Sequence, residues 1–120
     1  MSLHKIALLC GALAPPLWAG SIAFCGALRP GFDHTTQYIS ELGERGSPTE
    51  LLMRYGAFAP TGLMHLAFAV LLVATFRGRL ATAAAALLGM NGLARIGAGF
   101  FSCEPGCADA VSLAARLHSL

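Results

Sequence analysis

The sequence predicts an all-α protein, a multi-pass transmembrane helical bundle with three full spans and part of a fourth. Three observations support this prediction: 56% of the residues are hydrophobic, only 12% are charged, and the apolar residues form long uncharged runs. Soluble domains carry about 25% charged residues. A chain of 120 residues with this composition cannot cover its surface with charge. We therefore expect a single membrane domain over residues 1–120.

The first predicted span covers residues 6–28, an unbroken uncharged run. Its length meets the roughly 20 residues that a hydrocarbon core about 30 Å thick requires. Pro15 and Pro16 remove two backbone donors near the middle, so we expect a kink that neighbouring helices compensate. Small residues recur at every fourth position and predict a close-packing face, made of Ala19, Ala23 and Ala27.

Two further spans are predicted at residues 57–76 and 80–101. The second span contains a single titratable residue, His65, and the third contains Arg95. Four glycines of the third span predict the close approach of another helix, namely Gly89, Gly92, Gly97 and Gly99. Residues 109–120 are apolar but too short to cross a bilayer alone. We expect them to begin a fourth span that the end of the chain cuts off, with an interfacial segment as the alternative.

Residues 29–55 form the predicted extracytoplasmic loop and hold four of the six acidic residues. Ser47 followed three residues later by Glu50 matches a capping box, and Pro48 would occupy the first helical position, where proline is favoured. This pattern predicts a short helix that starts at about Pro48 and runs into the second span.

Basic residues and two cysteines decide the predicted orientation. The N-terminus and the turn at residues 77–79 together hold three Lys and Arg residues, and the long loop also holds three. The basic residues of the loop are interspersed with carboxylates, so the positive-inside rule favours the turn as the cytoplasmic side. Cys103 and Cys107 can form a disulfide only on an oxidising side. We therefore expect an inner (plasma) membrane protein with a cytoplasmic N-terminus, and with the loop and these cysteines outside.

The spacing of Cys103 and Cys107 is C-x-x-x-C, which is compatible with a short disulfide across a turn. Free thiols and a metal site are the alternatives. A thiolate pair alone is an incomplete ligand set for a metal, so no metal is expected.

A layer of ionisable residues is predicted beneath the outer surface. At 1.5 Å per helical residue, His65, Arg95 and His118 would lie roughly 9 to 14 Å below that surface. Ionisable residues inside a membrane usually face the bundle interior or a wet cavity, so the layer predicts a binding site. A re-entrant turn at Ser40 and Glu41 would bring the Glu41 carboxylate towards this layer, where a charge partner offsets burial. Two structural alternatives stay open: an interhelical hydrogen bond from His65 and snorkelling of Arg95 to the headgroups.

Several sequence blocks resemble those of a known family. They are Tyr38-Ile39-Ser40-Glu41-Leu42-Gly43, Gly46-Ser47-Pro48, the turn at residues 101–107, and His118. In this order they resemble a bacterial integral membrane family, domain-of-unknown-function family 998, and the layout is also loosely Frag1-like. The resemblance implies a helical bundle with more spans than this chain supplies. It also implies functional positions, which are Ser40, Glu41, Gly43, Glu104 and His118, but the family has no agreed activity.

The leading functional hypothesis is an uncharacterised integral membrane protein that binds a lipid or another amphiphile in an outer-leaflet polar cavity. The residues predicted to bind the ligand are Ser40, Glu41, His65, Arg95, Glu104 and His118. One alternative is a membrane haem or redox protein with His65 and His118 as axial ligands; otherwise no cofactor is expected. Another is a membrane hydrolase or transferase with Glu41 or His118 as general base.

The expected partners are the lipid bilayer and a lipid ligand. A homo-oligomer is an open alternative to a single copy. Nucleic acid is not expected, because the net charge of +2 is small and the arginines are scattered.

Overall fold

The computed structural model describes residues 2–103 and 105, and within that range every regular element is helical. The elements are α1 (Leu3–Leu28), a 3₁₀ helix (Ile39–Gly43), α2 (Glu50–Met53), a π-helical turn (Arg54–Phe58), α3 (Ala59–Thr75) and α4 (Arg79–Phe100). Leu3–Leu28, Glu50–Thr75 and Arg79–Phe100 are each long and apolar enough to cross a membrane. The all-α class and the three spans are thereby confirmed, while the predicted fourth span lies outside the described residues.

The first helix, α1, starts and ends where local chemistry dictates. The Ser2 side chain accepts a hydrogen bond from the Lys5 amide at 3.3 Å and caps the first turn. The helix continues through Pro15 and Pro16. It ends at Leu28, because Arg29 precedes Pro30 and a residue before proline avoids the α conformation.

The close-packing face that the alanine spacing predicted on α1 is wrong. The three alanines, Ala19, Ala23 and Ala27, are all exposed. The face that packs carries the buried residues Ala14 and Cys25, and Gly11, where an added Cβ would lie 2.5 Å from the Phe68 ring. Trp18 and Ile22, two large residues of this face, pack against the buried core near the loop.

The second spanning helix begins earlier than the apolar run suggested. It is continuous from Glu50 to Thr75, because α2, the π-helical turn and α3 follow one another without a break. The predicted short helix is therefore present, but Ser47 does not cap it. The Ser47 hydroxyl donates to the Leu42 carbonyl at 3.2 Å, while the Glu50 carboxylate accepts from the Gly46 amide at 2.9 Å.

The helix α3 lies in the middle of the bundle and packs against both α1 and α4. Gly62 of α3 and Gly92 of α4 bring the two backbones together: a Cβ on Gly62 would lie 2.5 Å from the Gly92 carbonyl oxygen, and one on Gly92 would lie 2.7 Å from the Gly62 carbonyl oxygen. A Cβ on Gly99 would lie 2.9 Å from the Arg54 carbonyl oxygen. A Cβ on Gly97 would meet nothing within 4 Å, so this glycine does not serve the predicted helix contact.

The three long helices alternate in direction, which gives the bundle two distinct ends. Residues 29–49 and the C-terminal end of α4 lie at one end, called here the loop end. The start of α1 and the turn at Gly78 lie at the other, called here the turn end. Gly78 has φ of 128°, a conformation that favours glycine. The loop and Cys103 are thus on one side, as expected, while the cytoplasmic assignment of the other side stays a prediction.

Candidate functional site

Arg29, the C-cap residue of α1, fixes the loop to the bundle. Its guanidinium donates to the Glu41 carbonyl and to the Glu44 carboxylate. The side chains of this ion pair are only 18% and 8% exposed. Removing one member of a largely buried ion pair is costly, because the other charge then stays buried without a partner. The loop is therefore a docked segment rather than a free connection.

The loop also reaches the chain beyond α4, across more than 50 residues of sequence. The Cys103 sulfur lies 3.5 Å from the Ser40 carbonyl oxygen, and the Arg45 amide donates to the Cys103 carbonyl at 3.0 Å. The 3₁₀ helix that carries Ser40 and the turn that carries Cys103 thus meet at the loop end. The disulfide predicted between Cys103 and Cys107 involves Cys107, which lies outside the described residues, so it stays a prediction.

Leu42 of the 3₁₀ helix is the apolar anchor of the loop. It is fully buried and belongs to a core cluster with Cys25, Met53, Ala57 and Phe58, against which Trp18, Ile22, Phe32 and Ala98 pack. The buried Thr49 hydroxyl donates to the Leu42 carbonyl. The core therefore sits at the loop end, between the loop and the interior of the bundle.

Glu41 is 7% exposed, and its carboxylate accepts a hydrogen bond from the Gln37 side chain at 2.7 Å. The predicted approach of the Glu41 carboxylate to Arg95 or His65 is not seen among the described contacts. Arg29 binds the Glu41 backbone and fixes the 3₁₀ helix near the end of α1. Ser40 and Glu41 therefore belong to the loop junction.

A different cluster forms where α1, α3 and α4 meet. The Arg95 guanidinium carbon lies 4.0 Å from the centroid of the Trp18 ring, within the range of a cation–π contact. One guanidinium nitrogen lies 3.4 Å from the Thr61 hydroxyl oxygen. Phe58 packs its ring edge-on to Trp18, with centroids 5.1 Å apart. Arg95 thus contacts two other helices at one level.

His65 lies one helical turn from Thr61, on the side of α3 that faces α4. A Cβ on Gly92 would lie 3.2 Å from the His65 Cβ, so the absence of a side chain at Gly92 makes room for the histidine. The His65 Nδ1 atom is buried and has no hydrogen-bond partner among the described residues. We call Trp18, Thr61, His65 and Arg95 the polar layer.

The structure therefore distributes the predicted site residues over two groups. His65 and Arg95 lie in the polar layer, and Ser40, Glu41 and Cys103 lie at the loop junction. Leu42 and Phe58 of the core cluster connect the two groups. Glu104 and His118 lie outside the described residues, so their predicted roles are neither placed nor tested.

Sequence reasoning missed the arginine contacts that build the loop end. Arg54 of the π-helical turn donates to the carbonyls of Gly99 at 2.7 Å and Phe100 at 2.8 Å, and it forms an ion pair with Glu50 at 2.9 Å. The four-residue spacing of Glu50 and Arg54 is a recognisable helical pair. Nothing in the sequence indicates which helix end Arg54 reaches.

Two apolar grooves lie nearer the turn end. One, of about 450 Å³, is lined by α1 and α3 and includes Leu3, Ala7, Val70 and Ala74. The other, of about 470 Å³, lies between α3 and α4. Neither groove is lined by a residue of the polar layer. In a bilayer such surfaces are in contact with acyl chains.

Three apolar helices with arginine-clamped ends define an integral membrane helical bundle. The family described as "Protein of unknown function (DUF998)" matches residues 12–120, and the chain belongs to this family. The predicted membership of family 998 is confirmed, while the bacterial origin and the Frag1-like layout stay predictions. No curated protein and no solved structure matches the chain.

Proposed function

We propose that this membrane protein binds a lipid or another amphiphile at the polar layer, beneath the docked loop. The single observation that carries the proposal is the position of Arg95, which lies over Trp18 and beside Thr61 within an otherwise apolar bundle. Ionisable residues at membrane depth are costly and mark sites of function by default. A ligand with a polar head and an apolar tail suits a polar layer surrounded by apolar helix faces.

The buried Nδ1 atom of His65, which has no hydrogen-bond partner within residues 2–103 and 105, supports the same proposal. A buried polar atom without a hydrogen bond costs roughly 1 to 3 kcal/mol, and a ligand head group beside Arg95 would supply the missing partner. Ser40, Glu41, Glu104 and His118 remain predicted ligand residues in this proposal. The first two lie at the loop junction, in contact with Arg29, Gln37 and Cys103.

Retention of bound amphiphile tests the proposal. We expect Arg95→Ala protein, purified in a mild detergent, to retain at least about tenfold less amphiphile in native mass spectra, because a charge-assisted hydrogen bond contributes about 1.5 kcal/mol or more. Arg45→Ala is the matched control, since Arg45 has an exposed side chain at the same end. Circular dichroism and gel filtration verify that both variants fold. Equal retention in the two variants would refute the proposal.

The haem alternative also draws on His65, whose Nδ1 atom lacks a partner among the described residues. Its second ligand, His118, lies outside them. An absorption spectrum after haem-replete expression decides this alternative: a Soret band lost in His65→Ala supports it, and no band refutes it. Hydrolase or transferase activity through Glu41 or His118 stays a prediction that substrate screening with Glu41→Gln tests.

The proposed setting is the inner membrane with the N-terminus in the cytoplasm, so that the loop and polar layer face the outer leaflet. Cysteine-accessibility labelling in intact cells tests this orientation. Reaction of an exposed Arg45→Cys variant with a membrane-impermeant reagent would support it, and reaction only of Arg79→Cys would reverse it. Cross-linking in the membrane tests the open question of a homo-oligomer.

A further inference from the structure

We propose, resting on the amphiphile site above, that its ligand carries an anionic head group and that Arg95 binds the anion. The shared chemistry is a phosphate or carboxylate oxygen presented at membrane depth. Three features of the described bundle support an anion: the charge balance, the unused donors of Arg95 and the neighbouring His65.

The charge balance singles out Arg95. The two other partly buried arginines among the described residues have carboxylate partners: Arg29 pairs with Glu44, and Arg54 pairs with Glu50. Arg95 has no carboxylate partner among the described residues. Its guanidinium keeps its charge because arginine cannot be deprotonated in proteins. An intramembrane cation of this kind requires a compensating charge or water.

The contacts that Arg95 does make leave most of its donors unused. A guanidinium offers five N–H donors, and the described contact with an oxygen atom is the long one of 3.4 Å to Thr61. The Trp18 ring provides an attractive face but no oxygen acceptor. Phosphate and carboxylate oxygens match the guanidinium fork and accept two parallel hydrogen bonds. An anion therefore completes the coordination that the three helices leave open.

His65 supports an oxygen-rich ligand. Its Cβ lies 3.2 Å from where a Cβ on Gly92 would stand, three residues before Arg95 on α4. A protonated ring nitrogen of a neutral imidazole donates to a phosphate oxygen. The phosphate of a phosphatidylcholine head group offers the same acceptors, but its choline ammonium would be repelled by Arg95 and cancels the charge of the phosphate. Among lipids, the site thus favours an anionic head over a zwitterionic one.

Head-group selectivity of the wild-type protein tests the inference. Delipidated protein in detergent is titrated with phosphatidylglycerol or with phosphatidylcholine of the same acyl chains, and adducts are counted by native mass spectrometry. We expect phosphatidylglycerol to bind at least about tenfold more tightly, because its head group keeps a net negative charge for Arg95 whereas the ammonium of phosphatidylcholine cancels it. Arg95→Gln should lose the difference, and Arg95→Lys should keep part of it.

The outcomes separate this inference from the proposed function. Equal binding of the two lipids to wild-type protein overturns the anion site while amphiphile binding stands. No binding of either lipid overturns both. A preference for phosphatidylglycerol that appears only in Glu104→Gln or Asp109→Asn would show that a carboxylate of the chain already neutralises Arg95, and would also overturn the inference.

Trp18 provides a second readout that does not depend on any variant folding. It is the single tryptophan of the chain, and Arg95 lies over its ring. We expect a saturable change in its emission with phosphatidylglycerol and none with phosphatidylcholine. The same change with inorganic phosphate in phosphatidylcholine micelles would assign the site to a soluble anion. No change with either anion would contradict the inference.

Discussion

Arg54 closes the end of α4 by binding Gly99. Its Nε atom donates to the Gly99 carbonyl at 2.7 Å, one of the carbonyls that a helix end leaves without an intrahelical partner. A positive charge there is also favoured by the helix dipole. A single side chain thus joins the start of the second spanning helix to the end of the third.

Removing the charge at Arg54 should destabilise the bundle. Arg54→Gln loses the bonds to Gly99 and Phe100 and leaves Glu50 unpaired, so we expect the free energy of unfolding to fall by about 2 to 4 kcal/mol. Titration from a mild detergent into SDS measures this. Arg77→Gln, at an exposed position of the turn end, should change it by less than about 0.5 kcal/mol. Equal effects would mean that the α4 contact contributes nothing.

Two glycine variants should have opposite effects. Gly62→Ala forces a Cβ to within 2.5 Å of the Gly92 carbonyl oxygen, and we expect a loss of about 1 to 3 kcal/mol in unfolding free energy. Gly97→Ala meets open space and removes a weak helix former, so it should be neutral or stabilising by up to about 1 kcal/mol. The same SDS titration compares them. A stable Gly62→Ala protein would contradict the close backbone approach.

Neutralising Glu44 should loosen the loop. Glu44→Gln leaves the largely buried Arg29 guanidinium without its carboxylate, while the bond from Arg29 to the Glu41 carbonyl remains. Cys25 is a fully buried free cysteine of the core cluster. We expect its alkylation rate, followed by peptide mass spectrometry, to rise at least about tenfold. Arg45→Gln, at an exposed charged position of the same loop, should leave the rate unchanged, and an equal rise there would refute the clamp.

The hydrogen bonds of Asp33 should make the local stability of the loop depend on pH. Hydrogen bonds from the Thr35 hydroxyl, the Thr35 amide and the Thr36 hydroxyl lower the pKa of Asp33 below its ordinary value. A depressed folded-state pKa contributes stability that is present above the unfolded value of about 3.9 and is lost as pH falls through the folded value. The Thr35 amide resonance should therefore titrate with a midpoint below about 3.9. A titration midpoint at or above that of an unfolded peptide would contradict the lowered pKa of Asp33.

The spans followed from apolar run length, which is a local property. The Ser47 to Glu50 pattern predicted a helix start before the apolar run, although Ser47 does not form the predicted cap. The packing face of α1 did not follow. Its alanine spacing indicates that a close contact is possible, but Trp18 and its long-range neighbours decide which side is used. The Arg54 contact with Gly99 joins residues 45 positions apart, and no periodicity encodes such a pairing. Helix rise predicts the common depth of His65 and Arg95, whereas the residues that surround them depend on the close approach of Gly62 and Gly92.

That glycine contact has a mechanical consequence. The carbonyl oxygen of each glycine lies where the other glycine's Cβ would stand, so neither helix can slide or roll past the other without a backbone collision. Arg54 joins the same two helices at the loop end. Any rearrangement that admits a ligand to the polar layer would then be a displacement of α1, carrying Trp18 away from a rigid two-helix platform.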